Sequence, residues 1–105
     1  SINQQSFHPS KFTLYENFPN PFNGSTTIRF DLPQLAEVNM EVFNLKGEVI
    51  RSYKFQDLEP GKHSIVFNGL DNEGKLIESG VYFYRLEYHS DQKRVVNIKK
   101  MLMLK

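Results

Sequence analysis

The sequence predicts an all-β protein, an antiparallel immunoglobulin-like sandwich of about seven short strands. Apolar and polar residues alternate with a period of two in several segments, and no segment has a helical period. Turn-forming residues separate these segments at intervals of about eight to twelve positions. The composition, with nine Phe, five Tyr and a single Ala, favours strands over helices. A chain of 105 residues is long enough for one hydrophobic core.

The first half of the chain predicts a linker, a turn and two strands. Residues 1–10 are polar and have no period, so we predict a linker over residues 1–13 and a domain over residues 14–105. Two prolines bracket an asparagine between Asn17 and Gly24, which predicts a fixed turn. The next two segments alternate and predict half-buried strands, whose inward residues are Ile28, Phe30, Leu32, Val38, Met40 and Val42.

The second half predicts further strands, separated by loops that contain glycine. Gly47 lies in a predicted hairpin loop, and Gly74 and Gly80 lie in a longer loop rich in turn formers. Residues 90–92 form the last predicted hairpin. Between these loops we predict strands over residues 49–55, 63–67, 81–88 and 93–104.

Basic charge is concentrated at the end of the chain. Residues 93–105 contain five basic residues and no acidic one, whereas the preceding residues contain eight basic and twelve acidic ones. Such a basic segment can contact nucleic acid, but apolar residues alternate with the lysines here, which indicates a packed strand. We therefore expect no nucleic-acid binding.

Residues that could support catalysis are scattered along the chain. His8, His63 and His89 have no metal-binding spacing, no serine lies in a GxSxG motif, and there is no cysteine. We expect no enzymatic activity, no catalytic residue and no cofactor. No apolar run is long enough for a membrane-spanning helix. The chain begins at Ser1 without a signal peptide, so we interpret it as one domain of a larger protein.

Two groups of oxygen-bearing side chains leave calcium binding as an alternative. The segment Asp71–Gly74 is similar to the start of a calcium loop but lacks the glycine and glutamate positions of an EF-hand. Asn20 and Asn23, on either side of Pro21, form the second group. Turn formation is the simpler explanation for both, because Asx and glycine residues also stabilise turns.

Carbohydrate binding is an alternative for the aromatic residues. Tyr82, Tyr84 and Tyr88 share one face of a predicted strand, where they could form a platform for sugars or fill the core. Trp, which is prominent in carbohydrate-binding modules, is absent, so we favour the core. Asn23-Gly24-Ser25 is a formal glycosylation sequon and equally a turn sequence.

Five blocks of sequence occur in order: LYENFPNPFN (14–23), TTIRF (26–30), VFNLKGEV (42–49), SGVYFYRL (79–86) and KKMLMLK (99–105). Together they resemble the type A C-terminal sorting domain of the bacterial type IX (Por) secretion system. The Gly-Val-Tyr block alone is also similar to the immunoglobulin-like domain of flagellar hook-capping proteins. The residues that we assign to the family motif, mainly with structural roles, are Pro19, Asn20, Pro21, Phe22, Asn23, Gly47, Gly74, Gly80 and Tyr82.

The resemblance implies a role in export. Domains of this family end large exported proteins of Bacteroidetes-type bacteria, and the outer-membrane translocon and its shuttle proteins recognise them after the cargo has folded in the periplasm. A sortase-like cysteine peptidase commonly removes the domain and attaches the cargo to the cell surface. The resemblance therefore implies an upstream cargo domain, cleavage near residues 1–13, and a location in the periplasm in transit and then at the cell surface or outside the cell.

We therefore predict a sorting signal whose recognition element is the end of the terminal strand: Lys99, Lys100, Met101, Leu102, Met103, Leu104 and Lys105. A strand at a sheet edge offers backbone donors and acceptors for strand addition. The lysines would attract an acidic receptor or only keep the edge soluble. The alternative function is a structural or carbohydrate-binding immunoglobulin-like accessory module of a multidomain extracellular enzyme.

Overall fold

The computed structural model of the chain describes residues 9–91 and 93–105. These residues form seven strands and no helix, which confirms the predicted all-β fold; this part of the chain therefore holds no helix that could cross a membrane. Residues 1–8 of the predicted linker and Gln92 of the last predicted hairpin lie outside the described residues. The strands are β1 (Thr13–Leu14), β2 (Thr26–Leu32), β3 (Ala36–Phe43), β4 (Val49–Leu58), β5 (Gly61–Phe67), β6 (Gly80–Ser90) and β7 (Lys93–Met103).

The strands form two antiparallel sheets. One sheet has three strands in the order β1-β2-β5, and the other has four in the order β4-β3-β6-β7. Burial alternates residue by residue along β3 and β6, as the period of two requires when one face of a sheet is covered. The buried side chains of both sheets form one hydrophobic cluster, so the molecule is a sandwich with a single core.

The inward residues predicted for β2 and β3 are in this core. All six are at most 1% exposed. Cross-strand pairs connect them to the neighbouring strands, with Ile28 opposite Ile65 and Met40 opposite Leu86. The period of two therefore predicted the buried face of these strands correctly.

The N-terminal edge of the sandwich begins near the predicted domain boundary. Thr13 lies opposite Asp31 in the pairing of β1 with β2. The ring of Phe12 packs against Tyr88 of β6, with 5.0 Å between the ring centroids. Phe12 and Thr13 thus contact the sandwich although they belong to the segment predicted as linker, and the boundary at residue 14 stays a prediction.

The last strand, β7, lies at one edge of the four-stranded sheet. Its pairing with β6 is regular from Ser90 opposite Lys93 to Gly80 opposite Met103. At the other edge, β4 pairs irregularly with β3, with register shifts at two places. The regular edge is therefore the one that carries the basic end of the chain.

Candidate functional site: the edge of the last strand

The last residues of the chain are covered on their outer edge by the segment Asn20–Phe22. Phe22 donates its N–H to the carbonyl of Leu102 (3.0 Å), and its carbonyl accepts the N–H of Leu104 (2.9 Å). The side-chain oxygen of Asn20 accepts the N–H of Leu102 (3.0 Å). Phe22 and Met103 form a parallel β-bridge. The first and the last of the five sequence blocks are therefore in direct contact.

Side chains of the first block hold this segment against the sandwich. The buried Asn17 donates to Pro19 O (3.2 Å) and to Thr26 Oγ1 (3.0 Å), and Thr26 Oγ1 donates to Pro19 O (2.8 Å). The Phe18–Pro19 and Asn20–Pro21 peptide bonds are cis. Phe22 is 2% exposed, and its ring contacts Phe67 edge-on at 6.0 Å between centroids. The fixed turn predicted here is thus anchored in the core.

The predicted recognition residues divide into buried and accessible ones. Met101 and Met103 are 1% exposed and belong to the core, so a receptor cannot reach their side chains in the folded domain. Leu104 is 49% exposed. Lys99 and Leu102 are half-buried, and Lys100 and Lys105 are exposed.

The accessible lysines differ in their neighbours. Lys99 Nζ lies 4.0 Å from a carboxylate oxygen of Glu16. Lys105 Nζ lies 3.5 Å from one of Glu78, and the backbone N–H of Lys105 donates to Ser79 Oγ (2.9 Å). Exposed ion pairs of this kind contribute little to stability, about 0–1 kcal/mol each. These lysine charges therefore remain available to a partner.

Upstream of the covered residues, the edge of β7 is open. Leu102 directs its N–H and C=O away from β6, towards Asn20 and Phe22. Because peptide groups alternate along a strand and the β6–β7 register has no shift, every second residue before Leu102 also faces outward. Among the described residues, no strand pairs with this side of β7. We call these outward peptide groups the open edge: Arg94, Val96, Ile98 and Lys100.

A charged cluster lies on the outer face of the sheet beside the open edge. Arg94 Nε donates to Glu87 Oε2, and His89 Nε2 is 2.6 Å from the same oxygen. Arg85 lies 3.3 Å from the other carboxylate oxygen of Glu87 and 3.8 Å from Glu41. The hydrogen bond from Arg94 is the main reason that the pKa of Glu87 is lowered, and burial opposes it. The cluster fixes Arg94 against β6.

The three tyrosines considered above as a carbohydrate platform lie in the core. Tyr82, Tyr84 and Tyr88 are at most 7% exposed. Tyr82 Oη donates to Glu78 O (2.7 Å), and Tyr84 Oη donates to Tyr15 O (2.8 Å). Burial raises the pKa of Tyr84 to about 12. These three side chains therefore serve packing, as the core interpretation expected.

The oxygen atoms of Asp71 and Asn72, considered above as calcium ligands, accept backbone N–H groups. Asp71 Oδ1 accepts the N–H groups of Glu73 and Lys75, both at 2.9 Å, and these bonds lower the pKa of Asp71. Asn72 Oδ1 accepts the N–H of Ser52 (3.0 Å). Gly74 completes the turn with a φ of +83°. Residues 9–91 and 93–105 contain no group of three or more His, Cys, Asp or Glu placed to hold a metal ion.

The remaining motif residues lie in loops or, for Gly80, at the first position of a strand. Gly47 donates its N–H to Asn44 O (2.9 Å) in the β3–β4 hairpin. Gly80 begins β6 opposite Met103. Pro19, Pro21 and Asn23 are exposed. These positions shape the loops around the end of β7.

A shallow cleft lies on the outer face of the three-stranded sheet. It has a volume of about 380 Å³, and its lining includes Tyr15, Arg29, Asp31, Lys62 and Ser64. Tyr15 Oη donates to Asp31 Oδ2 (2.5 Å), and Lys62 Nζ lies 3.9 Å from Asp31 Oδ1. The guanidinium of Arg29 lies 6.0 Å from the centre of the Tyr15 ring, so this aromatic face is partly covered. Reasoning from the sequence did not identify this cleft.

Three solved structures of bacterial proteins share this fold. Dimeric latent PorU from Porphyromonas gingivalis is 22% identical, with a TM-score of 0.73 over 90% of this chain and 9% of the PorU chain. FlgD from P. aeruginosa is 22% identical, with a TM-score of 0.62 over 74% of this chain and 59% of that chain. PorZ from Porphyromonas gingivalis is 16% identical, with a TM-score of 0.56 over 88% of this chain and 11% of that chain.

These likenesses show the fold. The chain spans about a tenth of the PorU and PorZ chains and about three fifths of the FlgD chain. No curated protein matches the chain in sequence. The family model of the FlgD Ig-like domain matches residues 17–92, from the turn that covers the end of β7 to the residue before β7 begins. This match takes in well over half of the chain, and the protein therefore belongs to the FlgD Ig-like domain family.

Proposed function

We propose that the domain is a type A C-terminal sorting signal of the type IX secretion system. In this role it directs a fused cargo protein across the outer membrane and to the cell surface. The resemblance of five sequence blocks supports the proposal, as does the likeness to PorU and to PorZ, a surface component of the type IX secretion system. The Ig-like fold is compatible with this role and does not require it.

The observation that carries the proposal is the contact between the first and the last sequence block. Three hydrogen bonds join Asn20 and Phe22 to Leu102 and Leu104. They hold the end of the chain in one conformation while Lys100, Leu104 and Lys105 stay accessible. A signal that is read after the cargo has folded needs such a fixed surface, because an ordered segment loses little conformational entropy on binding.

The partners and the location follow from this role. The outer-membrane translocon and its shuttle proteins would bind the accessible residues at the end of β7, and an upstream domain would be the cargo. A sortase-like cysteine peptidase would cut near residues 1–13. The protein would pass through the periplasm to the cell surface or the medium, and the domain itself would have no enzymatic activity.

A secretion assay tests the proposal. A signal peptide, a fluorescent protein and residues 1–105 are expressed in a host with a working type IX system. Removal of the last seven residues is a poor variant, because it also deletes Met101 and Met103 from the core. The informative variant replaces only accessible side chains, namely Lys100→Gln, Leu104→Gln and Lys105→Gln together.

The matched control changes exposed residues away from the end of β7, Leu35→Gln before β3 and Lys54→Gln in β4, the opposite edge strand. We expect the parent and the control to reach the surface or the medium and the tail variant to stay in the periplasm with an unchanged thermal midpoint. If the parent itself stays in the periplasm while folded, the proposal is wrong. If the tail variant is exported normally, the end of β7 is not the recognition element.

The second candidate is a structural or carbohydrate-binding accessory module. The FlgD Ig-like family match favours it, because that match ends at residue 92 and does not depend on the terminal block. In this case neither the parent fusion nor the tail variant would leave the periplasm, because the fusion carries no other sorting signal. Sugar binding would use the cleft beside Tyr15 rather than the buried tyrosines of β6, so Tyr15→Ala would abolish retention on insoluble polysaccharide.

A further inference from the structure

We propose that the open edge of β7 binds an extended, acidic segment of a partner protein as an additional strand. The added strand would pair with Arg94, Val96, Ile98 and Lys100 and would end where Asn20 and Phe22 cover Leu102. The inference rests on the proposed sorting function for the identity of the partner system. It adds the chemistry of the partner segment and the position at which it binds.

The backbone of β7 supplies the binding groups. Each outward residue offers one N–H and one C=O in a regular strand whose other side is already paired with β6. At the next outward residue, Leu102, the Asn20 side chain and the Phe22 backbone already occupy these groups. Phe22 pairs there in the manner of a short added strand, so the edge accepts β-pairing in this structure. The free part is therefore bounded at its C-terminal end by Asn20.

The charges along the edge define the chemistry of the partner. Residues 93–105 contain no acidic residue. Lys93 and Lys100 stand at the two ends of the free part, are exposed, and have no ion pair among the described residues. Val96 and the 53% exposed Ile98 lie between them. A complementary strand has acidic residues at its ends and small or apolar residues in the middle.

A second copy of this chain fits the edge less well. Pairing of β7 with another β7 would place two strands side by side that each carry four basic residues and no acidic one. Directly opposed like charges destabilise a strand pair. The opposite edge of the sheet is also a poorer site. β4 has two register shifts against β3, and Asp57 there has a φ of +57°.

A binding experiment with defined peptides tests the inference. The probe is a short synthetic peptide of alternating Val and Thr with Glu at both ends, and the control peptide has Lys in place of Glu. Each is titrated into the ¹⁵N-labelled chain of residues 1–105 and followed by amide chemical shifts. We expect saturable shifts at Arg94, Val96, Ile98 and Lys100 with the acidic peptide only.

Two variants separate backbone pairing from charge attraction. Ile98→Pro removes an N–H that faces outward and leaves the bonds to β6, and Ile98→Thr keeps the N–H as its matched control. We expect Ile98→Pro to weaken binding at least about tenfold and Ile98→Thr to leave it nearly unchanged. Lys93→Gln with Lys100→Gln should weaken binding without changing the thermal midpoint.

The remaining outcomes overturn the inference. No saturable shift, or shifts at β4 instead of β7, would exclude this edge as the site. Concentration-dependent association of the chain alone through β7 would assign the edge to a second copy. Vesicles that contain anionic lipid test a membrane surface as the partner. If the chain binds them but not the peptide, and if only the lysine substitutions and not Ile98→Pro weaken that binding, the edge of β7 would be assigned to a membrane surface. If export depends on Lys100, Leu104 and Lys105 but the peptide does not bind, only the inference is overturned. If the peptide binds but the fusion is not exported, only the proposed function is overturned.

Discussion

The side-chain oxygen of Asn20 accepts the backbone N–H of Leu102, a residue 82 positions later in the chain, at 3.0 Å. This single bond ends the open edge of β7, because it occupies the first outward N–H after Lys100. Asn20 therefore also holds the end of β7, a role that its preference for turns does not predict. It connects the proline-containing turn to the end of the chain.

Replacement of Asn20 by alanine should release the end of β7. The substitution leaves the N–H of Leu102 without its acceptor, which we expect to cost about 1 kcal/mol of stability. Amide hydrogen exchange at Leu102 and Leu104 should accelerate more than exchange in β3. Asn20→Asp keeps an oxygen acceptor and should retain protection, and Asn23→Ala is the control at an exposed neighbour. Equal protection of Leu102 in Asn20→Ala and the parent would contradict this role.

Phe22 should contribute far more to stability than Phe18, four residues before it. Phe22 is 2% exposed and packs against Phe67, whereas Phe18 is 72% exposed. We expect Phe22→Ala to lower the free energy of unfolding by about 3–5 kcal/mol, because it leaves a cavity in the core. Phe18→Ala should change it by less than about 0.5 kcal/mol. Urea unfolding of both variants measures the difference, and similar losses would show that the turn is not anchored through Phe22.

Gly69 should tolerate alanine less well than Gly74, although both have positive φ, +77° and +83°. A Cβ atom at Gly69 would lie 2.9 Å from the carbonyl oxygen of Gly24, whereas one at Gly74 meets nothing within 4 Å. Gly74→Ala thus measures the backbone strain alone, about 1–2 kcal/mol. Gly69→Ala adds a steric overlap with backbone, so its thermal midpoint should fall clearly further. Equal midpoints would mean that the Gly24 loop moves aside without cost.

Much of the fold was predictable because its signals are local. Alternation marks the inward residues of β2 and β3 directly, and each hairpin carries its own turn residues, such as Gly47. The ends of strands were less predictable. β5 begins at Gly61 rather than at residue 63, because Gly61 pairs with Leu32. This pairing depends on the position of another strand and has no signature in the local sequence.

The candidate site was predictable only in part. The sequence placed the basic segment on the last strand, but residues 101–104 are all apolar, so it did not separate the buried Met101 and Met103 from the accessible recognition residues. It did not reveal that Asn20 and Phe22 cover the end of that strand. That contact joins residues far apart in the chain, and only the packing of the proline-containing turn against the edge of β7 brings them together. The location of the open edge follows from the same contact.

Glu87 should make the stability of the domain sensitive to acid. The hydrogen bond from Arg94 holds the pKa of Glu87 below its ordinary value of 4.5. The unfolded chain then binds a proton at Glu87 more readily than the folded chain does. The ionised Glu87 therefore stabilises the folded state above pH 4.5, and this stabilisation is lost as the pH falls through the lowered pKa. We expect Glu87→Gln to be less stable than the parent at pH 7 and to lose less stability between pH 6 and pH 3. The exposed Glu73→Gln variant is the control. Urea midpoints between pH 6 and pH 3 measure the effect, and parallel curves of midpoint against pH for Glu87→Gln and the parent would contradict the prediction.

Tyr84 should produce the opposite dependence at alkaline pH. Burial raises its pKa from 10.0 to about 12, so the unfolded chain loses the phenol proton first and stability falls as the pH rises from about 10 to about 12. The ionisation of Tyr84 alone should lower the free energy of unfolding by about 1 kcal/mol by pH 11.

At pH 8 the Tyr84→Phe variant lacks the hydrogen bond to Tyr15 O and should be less stable than the parent by about 1 kcal/mol. Because phenylalanine does not titrate, the variant escapes the alkaline loss at this position, and the gap between the two proteins should close towards pH 11. Urea midpoints at pH 8, 9, 10 and 11 measure it. A gap that stays constant over this range would mean that the Tyr84 phenol ionises as readily in the sandwich as in the unfolded chain, and hence that the core beside Lys99 is open to water.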